Sequence, residues 1–406
     1  MSDPALDAAG SSLPLSPPVK VAVPRVQSDA RSDSAGKEHV IDAMRGFAAL
    51  LVAYFHCRQI EWVGMQAFHQ NAGHSLSLKT IAAYLTFPIA WGSAGVPIFF
   101  VISGYCIHRS GALRLANNPA YRLDAGNFWV RRFTRIYPVL LAALLLTLAL
   151  DWFSLQLPPV SHKIREIGVQ AFLVNLFSLQ GVAGKTYGSN GALWTLSLEV
   201  QFYAIYPLLF ALRRRIGMTS VLAIVAVVNV VSAYVLERHD IQFFTSYWFS
   251  WTLGAWIADA KARTSAKTGS PRWLYALAAG FIALGCAAFH YGQYGAFQLW
   301  AIGFAFYLYK ALERGNANQR DGWGLRLLSR FGDFSFSLYL IHLPIFVLLS
   351  SVLFRSSLQM SIWPSFGYML VAVPAAYVFY RLVELPAMNW SGSFKPKSAK
   401  GAFVKS

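Results

Sequence analysis

The sequence predicts an all-α fold, a polytopic integral membrane helical bundle of about ten transmembrane helices with both termini cytoplasmic. Three observations carry this. Of the 406 residues, 56% are apolar and only 13% are charged, a balance unlike that of an ordinary soluble domain. The apolar residues fall in runs near the roughly 20 residues that a helix needs to cross a bilayer. Basic residues gather between alternate runs, and this asymmetry orients a polytopic chain.

The elements follow in order. Residues 1–38 are rich in Ser, Pro, Ala and Asp and lack the apolar core of a signal peptide, so they read as a disordered cytoplasmic tail. The first span is Ile41 to His56. Thr80 to Ile107 follows, interrupted by Pro88 and Pro97, and then Ile136 to Leu150. Leu193 to Leu212 contains Glu199, and Ile216 to Leu236 and Ile241 to Ala258 come next. Trp273 to Tyr309 is too long for one helix and makes two, joined near His290–Tyr294. Phe334 to Phe354 and Ser356 to Tyr380 close the set. Residues 39–390 thus form one membrane domain, followed by a short basic cytoplasmic tail, 391–406. Arg109 to Arg135, Arg213 to Arg215, Lys261 to Arg272 and Lys310 to Arg330 mark cytoplasmic loops. With Arg135 and Arg213 on one side, the spans from Ile136 and Leu193 already make the return trip. Ile167 to Leu179 therefore does not span and reads as a re-entrant or interfacial helix.

Several spans hold an ionisable residue. A charge at the bilayer centre costs roughly 2.5–3.5 kcal/mol on insertion scales, and such residues usually face a cavity or a partner. Arg45 and His56 share the first span. Their spacing turns a helix by about 1,100°, roughly 20° past three full turns, so they lie on one stripe roughly 16 Å apart. Glu199 enters from the outer side about 9 Å below the start of its helix, within expected reach of His56. Such a contact would satisfy a buried carboxylate and set the imidazole tautomer. Arg132 and Arg135 are three residues apart and share a helix face toward the inner side. His342 sits near mid-depth, open to both substrate contact and core packing.

Other readings fall away. A net charge of +17 would suit nucleic acid in a soluble protein. Here the basic residues lie between spans, so topology is the simpler cause and no nucleic-acid partner is expected; a basic inner face also favours a polyanionic ligand. Cys57, Cys106 and Cys286 form no metal or disulfide pattern, and no metal is predicted. Ser103 lacks the flanking glycines of a nucleophile elbow, because Phe99 and Tyr105 stand in their place; Ser103-Gly104 reads instead as a close helix–helix contact. Gly181 to Thr186 lacks the first glycine of a phosphate loop.

The chain resembles the membrane acyltransferase 3 family. The resemblance lies in Asp42-x-x-Arg45-Gly46 leading to Tyr54-Phe55-His56, in Gly95 to Tyr105, and in Phe128 to Pro138 with Arg132-x-x-Arg135. It continues in Leu193 to Tyr203 with Trp194 and Glu199, in Phe336 to Pro344, and in Val383-Glu384-Leu385-Pro386. These motifs occur in order over roughly Ile41 to Pro386. Pro97 and Tyr105 depart from the usual pattern, outside the expected chemistry. The resemblance implies a membrane O-acyltransferase that moves an acyl group, most often acetyl, from acyl-coenzyme A (acyl-CoA) to a hydroxyl of a carbohydrate such as a surface or secreted glycan. Acyl-CoA is then a donor substrate, with no permanently bound cofactor, and the protein's surroundings are the lipid bilayer of a cell membrane. His56 is the expected general base, with Glu199 orienting it, and an acyl-histidine intermediate is the mechanistic rival. Arg45, Arg132 and Arg135 are expected to hold coenzyme A, and Trp194, Tyr203 and His342 to contact substrate. The alternative of another class is a polytopic exporter or flippase of glycans or lipids, which the lack of an evident internal repeat disfavours.

The charge pattern places 155–193 outside and Arg109–Arg131 inside. Single-cysteine labelling in a background without Cys57, Cys106 and Cys286 checks this. An impermeant reagent should reach Lys185→Cys in intact cells; labelling only after lysis would refute the orientation.

Overall fold

A bilayer offers no water to backbone N–H and C=O groups, so a chain this apolar satisfies them within helices. The computed structural model describes residues 26–72, 77–263, 270–313 and 322–394. Among these there is no strand, only two isolated bridges, Trp62 with Gln359 and Gln180 with Gly184. The helices in the first half are α1 (Val26–Glu61), α2 (Met65–Ala72), α3 (Leu78–Leu85), α4 (Gly95–Asn117), α5 (Ala125–Leu155), α6 (Val169–Leu176) and α7 (Leu193–Ile216). The second half holds α8 (Met218–Leu236), α9 (Trp248–Arg263), α10 (Leu274–Ala288), α11 (Gln293–Ala311), α12 (Trp323–Asp333), α13 (Ser335–Phe354), α14 (Trp363–Phe379) and α15 (Leu385–Ser393).

Among the described residues, seven helical stretches are long and apolar enough to cross a membrane unaided: His39–Glu61, Leu78–Asn117, Ala125–Leu155, Leu193–Ile216, Met218–Leu236, Ser335–Phe354 and Trp363–Ser393. This is the predicted all-α membrane bundle. The ten predicted spans correspond to these seven with the shorter α9 and α10 and with α11. The short α6 covers the segment read as non-spanning, and its length, about 12 Å, is far below bilayer thickness. The tail boundaries shift. Helix α1 is described from Val26, within the N-terminal segment 1–38. The last helix runs to Ser393, past the expected start of the C-terminal tail. The remainder of both tails lies outside the described residues.

Close crossings set the positions of the helices. A Cβ added at Gly104 would run into the Trp251 carbonyl on α9, and one at Gly254 into the Val101 carbonyl on α4. The two glycines let α4 and α9 touch backbone to backbone, the contact expected of Ser103-Gly104. Gly46 on α1 and Gly332 on α12 do the same for that pair. Ion pairs fasten one end of the bundle. Asp259 accepts from Arg213 Nε at 2.6 Å and pairs with Arg263 Nε at 3.1 Å, which ties α9 to α7. Lys261 of α9 and Lys310 of α11 each donate to Glu313 at 2.8 Å. Burial works against the charge on Glu313, but the two ammonium groups outweigh it and hold the carboxyl down at about 2. This is the basic end; the turns after α1 and before α7 lie at the far end.

Gly104→Ala should lower the melting temperature in detergent, because backbone atoms cannot yield to the new methyl; overpacking typically costs about 1–3 kcal/mol. Gly280 lies in α10 with nothing within 4 Å of an added Cβ, so Gly280→Ala should leave stability unchanged or raise it. Equal shifts of one sign in both would discount the crossing.

Candidate active site

Two groups of ionisable residues lie one above the other. The first lines a cavity of about 310 Å³ between α1, α4, α5, α7, α13 and the turn joining α14 to α15. Arg45, Arg132, Arg135, Glu199 and Tyr203 all stand on its wall. The three arginines expected to share a ligand thus come from two helices to one cavity. Four carboxylates also line it, Asp42, Glu199, Asp333 and Glu384. Three of these have close partners. Asp42 faces Arg45 at 3.4 Å. Glu384 accepts from Ser337 N at 3.1 Å and from Ser337 Oγ at 2.5 Å. Glu199 accepts from Ser103 Oγ at 3.1 Å and from the Tyr203 hydroxyl. Arg132 lies 5.7 and 5.9 Å over the rings of Phe128 and Tyr203. Neither Arg132 nor Arg135 makes an ion pair or hydrogen bond with a carboxylate among the described residues. Two guanidinium groups inside a membrane domain that touch no carboxylate among the described residues leave donors free for an anion.

The second group is a histidine pair toward the far end. His56 Nδ1 lies 2.8 Å from His342 Nε2, with the rings within 8° of parallel. His342 is fully buried, and its Nδ1 lies 2.9 Å from the Leu338 carbonyl. A carbonyl only accepts, so His342 Nδ1 carries the proton. Buried without an acid partner, His342 is neutral, which leaves Nε2 as an acceptor for His56 Nδ1–H. A neutral His56 then has a bare lone pair on Nε2, the form a general base needs. His56 itself is half-buried.

The anticipated pairing of His56 with Glu199 is not formed. The loop before α7 folds back into the bundle: Asn190 is fully buried and donates to the Leu340 carbonyl at 2.8 Å. The start of α7 is therefore recessed. Thr195, one turn nearer the far end than Glu199, already meets the Tyr339 hydroxyl at 2.7 Å. Glu199 lies roughly 10 Å toward the basic end from the level of His342, at 1.5 Å per residue. The group that His56 meets is His342. Trp194 packs against Tyr247 and Phe297, with ring centres 5.5 and 6.3 Å away, and does not line this cavity. Tyr339, missed in the sequence, lines the cavity and lies 5.9 Å from the His342 ring, so it stands between the two groups.

The family model described as an acyltransferase domain, Acyl_transf_3, matches residues 38–381. The chain belongs to this acyltransferase family. It is 29% identical over 142 residues to the peptidoglycan O-acetyltransferase OatA of Listeria monocytogenes, a match covering 32% of this chain and 22% of that protein. It is 26% identical over 222 residues to Nodulation protein 10 of Rhizobium leguminosarum, covering 51% and 53%. It is 28% identical over 176 residues to the acyltransferase MdmB of Streptomyces mycarofaciens, covering 43% and 40%. The matches span from about a quarter to a half of these relatives' lengths. No solved structure matches. The acyltransferase domain is a multi-pass membrane protein, and of the ionisable residues named above all but Glu384 fall within its matched residues.

The hydrogen-bond order gives a direct test. In protein labelled with ¹⁵N-histidine and held in bilayers, His56 should show a protonated Nδ1 and a bare Nε2. In His342→Ala the acceptor is gone and the two tautomers should mix. A protonated Nε2 on His56 in the unaltered protein would reverse the assignment.

Proposed function

We propose that the domain transfers an acyl group from acyl-CoA to a carbohydrate hydroxyl, with His56 as general base. The observation that carries the reading is the pair Arg132 and Arg135, guanidinium groups that touch no carboxylate among the described residues, on the wall of a cavity that also holds Arg45. Coenzyme A brings phosphates that suit such cations and a long narrow arm that suits a path along the bundle. A carbohydrate acceptor is supported by the likeness to a peptidoglycan O-acetyltransferase.

In this reading the phosphates rest against Arg132, Arg135 and Arg45, and the arm carries the thioester past Tyr339. The acceptor hydroxyl approaches from the far end. Its oxygen attacks the thioester carbonyl while His56 Nε2 takes its proton; the carbon–sulfur bond breaks, and the proton passes to the thiolate that leaves. His342 holds the imidazole and stabilises it once charged, as an orienting partner does in a catalytic triad. Glu199 has a different role here. With Tyr203 and Ser103 it shapes the cavity wall beside Arg132.

Titrations of acyl-CoA into purified protein separate donor binding from topology. Charge-assisted hydrogen bonds contribute roughly 1.5–3 kcal/mol each, so Arg132→Gln should raise the dissociation constant about 10- to 150-fold. Arg114, whose guanidinium meets Tyr121 at 3.3 Å on the exposed surface, is the control, and Arg114→Gln should bind like the parent. His56→Ala should bind donor normally yet transfer about 10²–10⁴ times more slowly. Equal affinities for Arg132→Gln, Arg135→Gln and Arg114→Gln would remove the arginines from the donor site.

A further inference from the structure

Prolines interrupt the two helices that carry His342 and Tyr203. Pro344 follows His342 by two residues in α13, and Pro207 follows Tyr203 by four in α7. A proline inside a helix offers no N–H to the carbonyl four residues back. The carbonyls left open are those of Leu340 and Tyr203. An open carbonyl in a membrane bundle is stabilised by another donor.

Both find one on a different element. Asn190 Nδ2 donates to Leu340 O at 2.8 Å, and Trp129 Nε1 donates to Tyr203 O at 3.1 Å. Pro138 in α5 and Pro374 in α14 open the carbonyls of Thr134 and Leu370 in the same way, and neither accepts a side-chain hydrogen bond among the described residues. The filled pair lies on the helices that carry His342 and Tyr203, whereas the Thr134 carbonyl, between Arg132 and Arg135, is left unfilled. Leu340 precedes His342 by two residues. Tyr203 donates its hydroxyl to Glu199, and its ring lies under Arg132. The donors are fixed as well. Asn190 is fully buried and also donates to Thr147 Oγ1 of α5 at 3.0 Å. Trp129 precedes Arg132 by three residues, so it sits on nearly the same face of α5.

We propose that Asn190 and Trp129 are positioning residues, each locking one half of the site through a carbonyl that a proline leaves open. Asn190 sets α13 so that His342 Nε2 meets His56 Nδ1. Trp129 sets α5 against α7 so that Arg132 lies over Tyr203 at the cavity wall. The kinetic part rests on the reading of His56 as base and Arg132 as donor contact; the locking itself does not.

A double-mutant cycle in the full chain, held in lipid nanodiscs, tests this. Asn190→Ala should lower kcat about tenfold, the size of one lost hydrogen bond, with the donor KM within about twofold. Pro344→Ala restores an N–H for Leu340, so in that background the further change Asn190→Ala should cost little. Trp129→Phe should instead raise the donor KM and spare kcat, and Pro207→Ala should relieve it. Melting temperatures read the same cycles without any assay of transfer: non-additive shifts support the lock even if the acyl-CoA reading fails. Penalties of equal size with and without the prolines would overturn it. If Asn190→Ala does not fold, rescue by Pro344→Ala supports the lock, and failure of both variants overturns it.

Discussion

Every polar group within this bundle must find its partner in the protein, because the surrounding lipid supplies none. That constraint explains the helices, and it explains where their irregularities fall. Glycines bring α4 against α9 so closely that backbone meets backbone. Buried carboxylates such as Glu384 and Asp151 are held by serines at 2.5–3.1 Å. Arg132 and Arg135 stand on the cavity wall with no carboxylate in ion-pair or hydrogen-bond contact among the described residues.

The same constraint fixes the electronic state of the histidine pair. Water around His342 would let either ring nitrogen carry the proton. Full burial against the Leu338 carbonyl leaves one choice, and that choice passes along the hydrogen bond to His56. Geometry at a backbone carbonyl thus decides which nitrogen of a half-buried imidazole has a free lone pair. The cavity and the pair are separated by Tyr339, itself tied to Thr195, so the arginines and His56 occupy different levels of one bundle.

Much of the site was legible because helical periodicity and the bilayer's intolerance of charge work at the level of sequence. The spacing of Arg45 and His56 puts them on one stripe, and their levels in the structure follow from that spacing. Arg132 and Arg135 share a face for the same reason and do line a common cavity with Arg45. What failed were inferences across helices. Glu199 was placed beside His56 by counting residues from the start of its helix, but the buried loop at Asn190 recesses that start. Asn190 and Trp129 carry no charge inside a span, so nothing in the hydropathy pattern marks them; the trace they leave is a proline four residues beyond each carbonyl they fill.

The sequence by itself determined the all-α membrane fold, the family, and which ionisable residues sit inside spans, since each rests on composition, local periodicity or linear motif. The tertiary structure alone decided that His342 and not Glu199 partners His56, that Glu199 belongs with Ser103 and Tyr203, and that Tyr339 divides the site. The physical reason is that depth along one helix can be counted from residues, at about 1.5 Å each, whereas the offset between two helices is set by the loops and close crossings that join them.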